Sequence, residues 1–189
     1  MRTLYLDCGM GAAGEMLTAA LLELLPEPEG FVAELNGLGI PGVDFSAEKC
    51  QKCGVSGTHM AVKVHGQAEG EAHPHTHGIL HDIRTVVQAL PIPTMVKLDI
   101  LSVYEEIAQA ESHVHGVPVN QIHFHEVGSL DAVADVTAVC LLLHRLNPEQ
   151  ILASPVHVGS GTVKCAHGIL PVPAPATAYL LRGIPMYGG

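Results

Sequence analysis

The chain has 189 residues, of which 48% are hydrophobic, and a formal net charge of −10. Its 9 lysines and arginines do not cluster, which excludes the basic surface that nucleic-acid phosphates require. No apolar run approaches the roughly 18 residues of a membrane span, and Asp7 and Glu15 interrupt the apolar stretch of a signal peptide. We therefore expect a cytoplasmic globular protein that binds neither nucleic acid nor membrane.

The first half of the chain is divided into short elements by glycine and proline. The predicted elements are a strand at 3–7, a helix at 15–25 stopped by Pro26, a helix at 28–38, and two strands joined by a turn at 43–65. The segment at about 66–77 is polar and low in complexity, which predicts a disordered, mobile loop.

The second half alternates between helical and strand patterns. The predicted elements are a helix from 79 to 90, a helix at 94–114, a strand at 121–127, a helix at 130–146, a strand near 151–158, a loop at 159–171 and a short last helix ending at Gly183. This alternation predicts an α/β fold, with mixed α+β as a variant, in which helices pack on a layered sheet. The length fits a single domain over 1–189.

Three glycines after the first predicted strand have the spacing of a dinucleotide-binding turn. Gly9, Gly11 and Gly14 match the pattern G-x-G-x-x-G. Asp7 would repel a pyrophosphate, however, and no strand ending in Asp or Glu follows about twenty residues later. A tight turn with positive φ and close helix packing is therefore favoured. A further interpretation stays open, in which Asp7 and Glu15 act as acidic ligands or orienting groups beside a site.

Histidine is the most unusual part of the composition, with 13 residues. The 5 cysteines predict no disulfide framework, because their number is odd and no secretion signal precedes them. Cys50 and Cys53 have zinc-knuckle spacing but lack a second pair, and Cys140 fits a core position on a helix. The histidines therefore direct the search for a metal site.

The first histidine cluster lies in the predicted mobile loop and just after it. It consists of His73, His75, His77 and His81. His77 and His81 have the spacing that lets two imidazoles on one helix face meet one ion. Modest affinity and fast exchange in a mobile segment suit metal delivery, whereas a solvated tract without function is the alternative.

Other histidines stand at the ends of predicted elements. His113 and His115 close a helix, where the dipole favours imidazole, so we expect either capping or contact with metal or substrate. His157 and His167 flank a glycine-rich loop, and each taken alone is typical of a polar loop residue.

The strongest cluster is on the predicted strand at 121–127. His123 and His125 alternate along it, so they share one face at a separation of about 7 Å. Ile122 and Phe124 point the other way, toward the core.

Carboxylates follow this strand directly. Glu126 ends the strand, and Asp131 and Asp135 follow at i, i+4 spacing on the next helix. Asp131 also suits the first turn of that helix, because a carboxylate complements its dipole. Two imidazoles with one ligating and one orienting carboxylate form a sensible metal site, and such donors suit a borderline divalent transition metal.

Three parts of the sequence resemble one known family. They are residues 7–16 (DCGMGAAGEM), residues 113–116 (HVHG) followed by 122–131 (IHFHEVGSLD), and residues 163–177, which contain HGILPVPAPAT. From about residue 4 to residue 183 the chain is similar to the N-terminal part of the nickel insertion proteins that complete the nickel-pincer nucleotide cofactor of lactate racemase.

The resemblance implies a CTP-dependent nickel chelatase or insertase of the lyase class. It would insert Ni²⁺ into pyridinium-3,5-bisthiocarboxylic acid mononucleotide, forming two nickel–sulfur bonds and one nickel–carbon bond. CTP, with a divalent metal, is expected to bind a further C-terminal region that this chain lacks. The expected partners are therefore a C-terminal partner chain and the lactate racemase apoprotein, and a homo-oligomer is compatible with this function.

Together with the clusters, the resemblance assigns roles to individual residues. The expected metal ligands are His73, His75, His77, His81, His113, His115, His123 and His125. The expected catalytic residues are His123, His125, Glu126 and Asp131, with His125 or Glu126 as the base that removes a ring proton. The expected contacts to the nucleotide are Asp7, Gly11, Gly14 and His167.

Two other functions remain open. A nickel chaperone or buffer would bind metal without acting on a nucleotide. A metal-dependent hydrolase would use the same kinds of ligands, because His, Asp and Glu also build two-metal sites.

Overall fold

The computed structural model describes residues 1–68, 78–124, 126–165 and 167–189. Over these residues the helices are α1 (Gly14–Leu22), α2 (Pro28–Gly37), α3 (Leu80–Ala89), α4 (Thr94–His115), α5 (Leu130–Leu146) and α6 (Pro175–Leu180). The strands are β1 (Thr3–Leu6), β2 (Val43–Lys52), β3 (Val55–Val64), β4 (Gln67–Ala68), β5 (Gly78–Ile79), β6 (His123–Phe124), β7 (Gln150–Ala153), β8 (Val156–His157), β9 (Thr162–Cys165), β10 (Gly168–Pro171) and β11 (Met186–Tyr187). The predicted mixture of helices and strands is confirmed.

The chain forms two compact units. Unit 1 consists of Met1–Ala12, Val103–Ile122 and Asn147–Gly189, and unit 2 consists of Ala13–Ser102 and His123–Leu146. Helix α4 therefore begins in unit 2 and ends in unit 1. No helix in the described ranges is long and apolar enough to cross a bilayer.

Unit 2 is a sheet covered by helices. Strands β2 and β3 form an antiparallel hairpin in which Phe45 pairs with Val62, and both side chains are buried. Helices α1, α2 and α5 contact this hairpin. The Asn36 amide joins α2 to β2, because it accepts a hydrogen bond from the Phe45 N–H (2.8 Å) and donates one to the Phe45 carbonyl (2.9 Å).

Helix α5 contributes the largest share of this core. Its buried residues recur at i, i+3 and i+4 spacing, as an amphipathic helix requires, and they are Val133, Ala134, Thr137, Ala138, Cys140, Leu141 and Leu142. Burial, with a smaller contribution from the Asp99 charge, raises the pKa of the Cys140 thiol to about 11. The predicted core position of Cys140 is confirmed.

Unit 1 is built around parallel strands. Strand β1 pairs with β7 in parallel, and β8 pairs with β11 in parallel. Strands β7 and β8 are separated at Pro155, which has no N–H to donate to a neighbouring strand. Strand β8 lies between two neighbours, because the His157 N–H bonds the Cys8 carbonyl (3.1 Å) while the Val158 N–H bonds the Tyr187 carbonyl (2.9 Å).

Several predicted boundaries were wrong. The strand predicted at 121–127 shrinks to His123–Phe124, because 3-10 helices at Val119–Gln121 and Glu126–Gly128 flank it. The loop predicted at 159–171 contains the antiparallel hairpin of β9 and β10. Of the segment at about 66–77, Gln67–Ala68 forms β4, and residues 69–77 lie outside the described residues.

Candidate functional site

The end of α4 brings together histidines from unit 1. The His113 ring stacks on the Tyr179 ring of α6 at a centroid distance of 4.4 Å. The Arg182 guanidinium carbon lies 5.3 Å from the centroid of the same tyrosine ring. His113 therefore belongs to an aromatic and cationic cluster with Tyr179 and Arg182.

His115 has different partners. Its Nε2 lies 3.3 Å from Glu111 Oε2, one helical turn earlier. Its ring lies 4.9 Å, centroid to centroid, from the ring of His167, which comes from the turn between β9 and β10. Side chains two positions apart on a helix point in directions that differ by about 200° around the helix axis. His113 and His115 therefore do not share their contacts.

The glycine-rich segment forms a tight turn at the end of β1. Gly11 has a φ of +84°, and its N–H donates to the Cys8 carbonyl at 3.0 Å. The Gly9 N–H donates to the Asp7 Oδ1 at 2.9 Å. The predicted turn with positive φ is confirmed.

Tyr187 and His157 lie beside this turn. Their ring centroids are 4.9 Å apart. A side-chain carbon at Gly9 would lie 3.1 Å from the Asp7 Oδ1 and 3.7 Å from the Tyr187 hydroxyl, so Gly9 provides the space between the carboxylate and the phenol. Sequence reasoning missed Tyr187 and treated His157 as a loop residue. The available signal for His157 was its position near the end of the strand predicted at 151–158, whereas Tyr187 lies in no predicted strand.

In unit 2 the antiparallel pairing of β5 with β6 brings His81 and His123 onto neighbouring segments. Ile79 pairs with His123, and His81 follows two residues later on the first turn of α3. His123 is exposed, whereas Ile122 and Phe124 are 4% and 1% exposed, so the predicted alternation is confirmed for these three residues.

Several predicted ligands cannot be placed. His73, His75, His77 and His125 lie outside the described residues, and only the backbone of Glu126 is described. Within the described part of the chain, no three or more His, Cys, Asp or Glu side chains are arranged to hold a metal ion.

Two carboxylates on α5 have structural contacts: Asp131 bonds within the first turn of α5, and Asp135 packs against the start of α1. Asp131 Oδ1 accepts the Ala132 N–H at 3.0 Å in the first turn. Asp135 lies against Gly14, the first residue of α1, where a Cβ would come within 2.6 Å of the Asp135 side chain. Close helix packing at Gly14 is therefore confirmed.

The predicted residues divide between the two units. Unit 1 holds Asp7, Gly11, His113, His115 and His167, and unit 2 holds Gly14, His81, His123 and Asp131.

Comparison with known proteins agrees with the resemblance. The model of the family described as "Nickel insertion protein" matches residues 4–189 of the chain. A pyridinium-3,5-bisthiocarboxylic acid mononucleotide nickel insertion protein from Desulfitobacterium hafniense is 40% identical over 187 residues, which cover 99% of this chain and 45% of the relative. Proteins of the same name from Geobacillus kaustophilus and Clostridium kluyveri are 36% and 38% identical, covering 98% and 100% of this chain and 46% and 49% of the relatives.

The chain thus spans about half the length of the curated relatives it matches. No solved structure matches it. The match to the family description nevertheless extends over nearly the whole chain, from residue 4 to residue 189, and includes both histidine-bearing units. The chain belongs to the nickel insertion protein family.

Proposed function

We propose that this chain handles Ni²⁺ for insertion into pyridinium-3,5-bisthiocarboxylic acid mononucleotide, the compound for which its relatives are named. The contact between His115 and His167 carries the proposal. These imidazoles come from two segments that are distant in sequence and that both resemble family motifs, and unit 1 brings their rings together.

Glu111, His115 and His167 form an arrangement that suits binding and release of nickel rather than its permanent storage. A carboxylate at one ring nitrogen is the usual way to orient a metal-binding imidazole, and Glu111 faces Nε2 of His115, which leaves Nδ1 for the ion. Two imidazoles alone give an incomplete ligand set, so the substrate can supply the remaining donors.

Unit 2 provides the second set of proposed ligands. His81 and His123 are exposed there, and we assign His73, His75, His77 and His125 to the same task of collecting nickel. His123, His125, Glu126 and Asp131 are the proposed catalytic residues, with His125 or Glu126 as the base that removes the ring proton during carbon–nickel bond formation.

The remaining assignments concern nucleotides and partners. We propose that Asp7, Gly11, Gly14 and His167 contact the mononucleotide. The reaction is proposed to be of the lyase class and CTP-dependent, with CTP and its divalent metal held by a C-terminal partner or region, and lactate racemase apoprotein as the recipient of the product. The site of action is proposed to be the cytoplasm, and 1–189 is proposed to act as one nickel-handling domain.

The test is Ni²⁺ titration by calorimetry. We expect His115→Ala/His167→Ala and His123→Ala/His125→Ala each to weaken a distinct site by at least about tenfold, because each removes two imidazole donors. His59→Ala is the matched control, since this exposed histidine lies on β3 beside Glu48 and is in neither cluster. Unchanged affinity and stoichiometry in both double variants would overturn the proposal.

A nickel chaperone without catalysis is the second candidate. It is favoured by the contact of His115 with His167, because two imidazoles alone give an incomplete ligand set that suits transient binding. Incubation with Ni²⁺, CTP and the mononucleotide separates the two functions, because only an insertase converts the mononucleotide to the nickel adduct detected by mass spectrometry.

A further inference from the structure

Strand β2 lies at the edge of the sheet in unit 2. The sheet has the order β2-β3-β4, so β2 pairs with β3 on one side only. In an antiparallel pair, the backbone groups of alternate residues point toward the partner strand and away from it. The His65 N–H donates to the Gly42 carbonyl in the same register, which assigns the even-numbered residues of β2 to the pairing with β3. The odd-numbered residues therefore direct their N–H and C=O groups away from β3.

The side chain of Asn36 shows that this outer side of β2 can bind a partner. Its amide accepts the Phe45 N–H at 2.8 Å and donates to the Phe45 carbonyl at 2.9 Å, as a residue of an antiparallel neighbouring strand would. Farther along β2, the outward backbone groups of Ala47, Lys49 and Gln51 bond to no group in the described part of the chain. We call the backbone of these three residues the open edge.

A groove lies beside the open edge, between β2 and the start of α2. Its volume is about 360 Å³. The apolar part of its lining comes from α1, α2 and β2 and consists of Leu22, Pro28, Val32 and Ala47. Alternate side chains of a strand project to the same face, so a strand added to the open edge directs every second side chain toward this groove.

The charged residues around the groove leave an excess of negative charge. Lys49 Nζ lies 3.7 Å from Glu23 Oε1, so these two charges offset each other. Glu29 also lines the groove, is exposed, and has no charged partner among the residues that the structure describes. Glu48 contacts His59 Nδ1 at 3.6 Å, a partner that is charged only when protonated. The groove therefore favours a cationic side chain.

A second copy of this chain fits the open edge less well than a basic segment does. An antiparallel pairing of two open edges that uses all three residues places the two Lys49 side chains opposite each other. Like charges that are directly opposite across a strand pair destabilise it. A segment that carries lysine or arginine is instead opposite in sign to Glu29 and Glu48.

We propose that the open edge and its groove bind an extended peptide segment that carries a basic side chain. The segment adds to β2 as an antiparallel strand and pairs with Ala47, Lys49 and Gln51. Its lysine or arginine enters the groove, where Glu29 supplies the opposite charge. This partner is a polypeptide rather than a metal or a nucleotide, so the inference goes beyond the proposed function and does not depend on it.

The probe is a fluorescein-labelled peptide of four threonine–lysine repeats, which presents lysine on one face of a strand. In fluorescence polarisation we expect the intact chain to bind it about tenfold more tightly than the same peptide with glutamate for lysine, because two acidic side chains change from attraction to repulsion. A third peptide, N-methylated at its lysines, keeps the charge but cannot donate to the open edge. It should bind as weakly as the glutamate peptide, which separates strand addition from general attraction to a chain of net charge −10.

Variants test the open edge and the groove separately. Gln51→Pro removes an N–H that makes no bond to β3, a change that edge strands tolerate, and Gln51→Ala keeps this N–H as the matched control. Gln51→Pro should weaken binding of the lysine peptide about fivefold, the size of one net hydrogen bond, and Gln51→Ala should not. Glu29→Gln should reduce the preference for lysine over glutamate about threefold. Glu106→Gln, which removes an equal charge at an exposed position of unit 1, should leave this preference unchanged.

Thermal unfolding identifies any variant that is not folded, and the N-methylated peptide tests the open edge without any variant. Equal binding of the lysine and glutamate peptides, or of the lysine peptide and its N-methylated form, would overturn the inference. Sedimentation tests the other occupant. A dimer of the unaltered chain that Gln51→Pro dissociates would show that a second copy covers the open edge, and this result would overturn the inference as well.

Discussion

The side chain of Asp135 occupies the space that a side chain at Gly14 would need. A Cβ built on Gly14 would lie 2.6 Å from both Cβ and Oδ2 of Asp135, closer than real side-chain contacts allow. Helix α1 can therefore begin directly against α5 only because residue 14 is glycine.

The first prediction follows from this contact. Gly14→Ala should lower the free energy of unfolding by about 2 kcal/mol, the cost of overpacking a contact between helices. Gly37→Ala is the matched control, because a Cβ at this position in α2 meets nothing within 4 Å. It should be neutral or stabilising by about 0.5–1 kcal/mol. Urea unfolding of both variants checks the prediction, and equal effects would contradict it.

The second prediction concerns alkaline stability. The pKa of Cys140 is raised from 9.0 to about 11 in the folded chain, chiefly by burial. Its stabilising contribution is therefore complete below pH 9 and is lost as the pH rises toward 11. Between pH 7 and pH 10.5 the unaltered chain should lose about 2 kcal/mol more unfolding free energy than Cys140→Ala.

The comparison with Cys140→Ala cancels the titration of lysines and tyrosines, which both proteins share. Cys53→Ala, which removes an exposed thiol, should follow the unaltered chain at both pH values. Parallel pH profiles for the unaltered chain and Cys140→Ala would show that the buried thiol is not responsible.

Long periodic segments were the part of the fold that could be predicted from sequence. Helix α5 runs from Leu130 to Leu146 as expected, because its apolar spacing is sustained over several turns. Short elements were less predictable. The helix predicted to reach Leu25 ends at Leu22, where the N–H groups of Leu24 and Leu25 bond carbonyls three residues back ahead of Pro26.

The candidate site was predictable in residue type but not in arrangement. Histidine spacing identified His115 and His167 separately, but their contact depends on how the β9–β10 turn reaches the end of α4. Tyr187 carries no local signal at all. Its position beside His157 depends on β11 pairing with β8, a contact between distant parts of the chain that sequence periodicity does not encode.

The third prediction concerns an ion pair on the surface of unit 2. Arg145 donates to both oxygens of Glu34 at 2.8 and 2.6 Å, and its guanidinium carbon lies 5.0 Å from the centre of the Phe31 ring. Both charged side chains are about two-fifths exposed, so solvent screens the pair. A double-mutant cycle with Arg145→Met and Glu34→Gln should give a coupling energy of about 0.5–1 kcal/mol.

Salt provides the control for this cycle. Because exposed charges are screened, the coupling energy should fall in 1 M NaCl, where the Debye length shortens to about 3 Å. A coupling energy that is unchanged by salt would mean that packing of Arg145 on Phe31, rather than charge, stabilises this contact.

The last prediction concerns the support beneath the turn at residues 7–11. The Ser154 hydroxyl accepts the N–H of buried Cys8 at 2.8 Å and donates to the Pro155 carbonyl at 3.1 Å. Ser154→Ala leaves the Cys8 N–H without this acceptor, which should cost about 1–2 kcal/mol of unfolding free energy. Hydrogen exchange should show faster exchange of the Cys8 and Gly9 amides in Ser154→Ala, because the turn that presents Asp7 loses its anchor. Ser160→Ala, at an exposed position of the same unit, should leave both amides unchanged, and equal protection in the two variants would show that Ser154 does not support the turn.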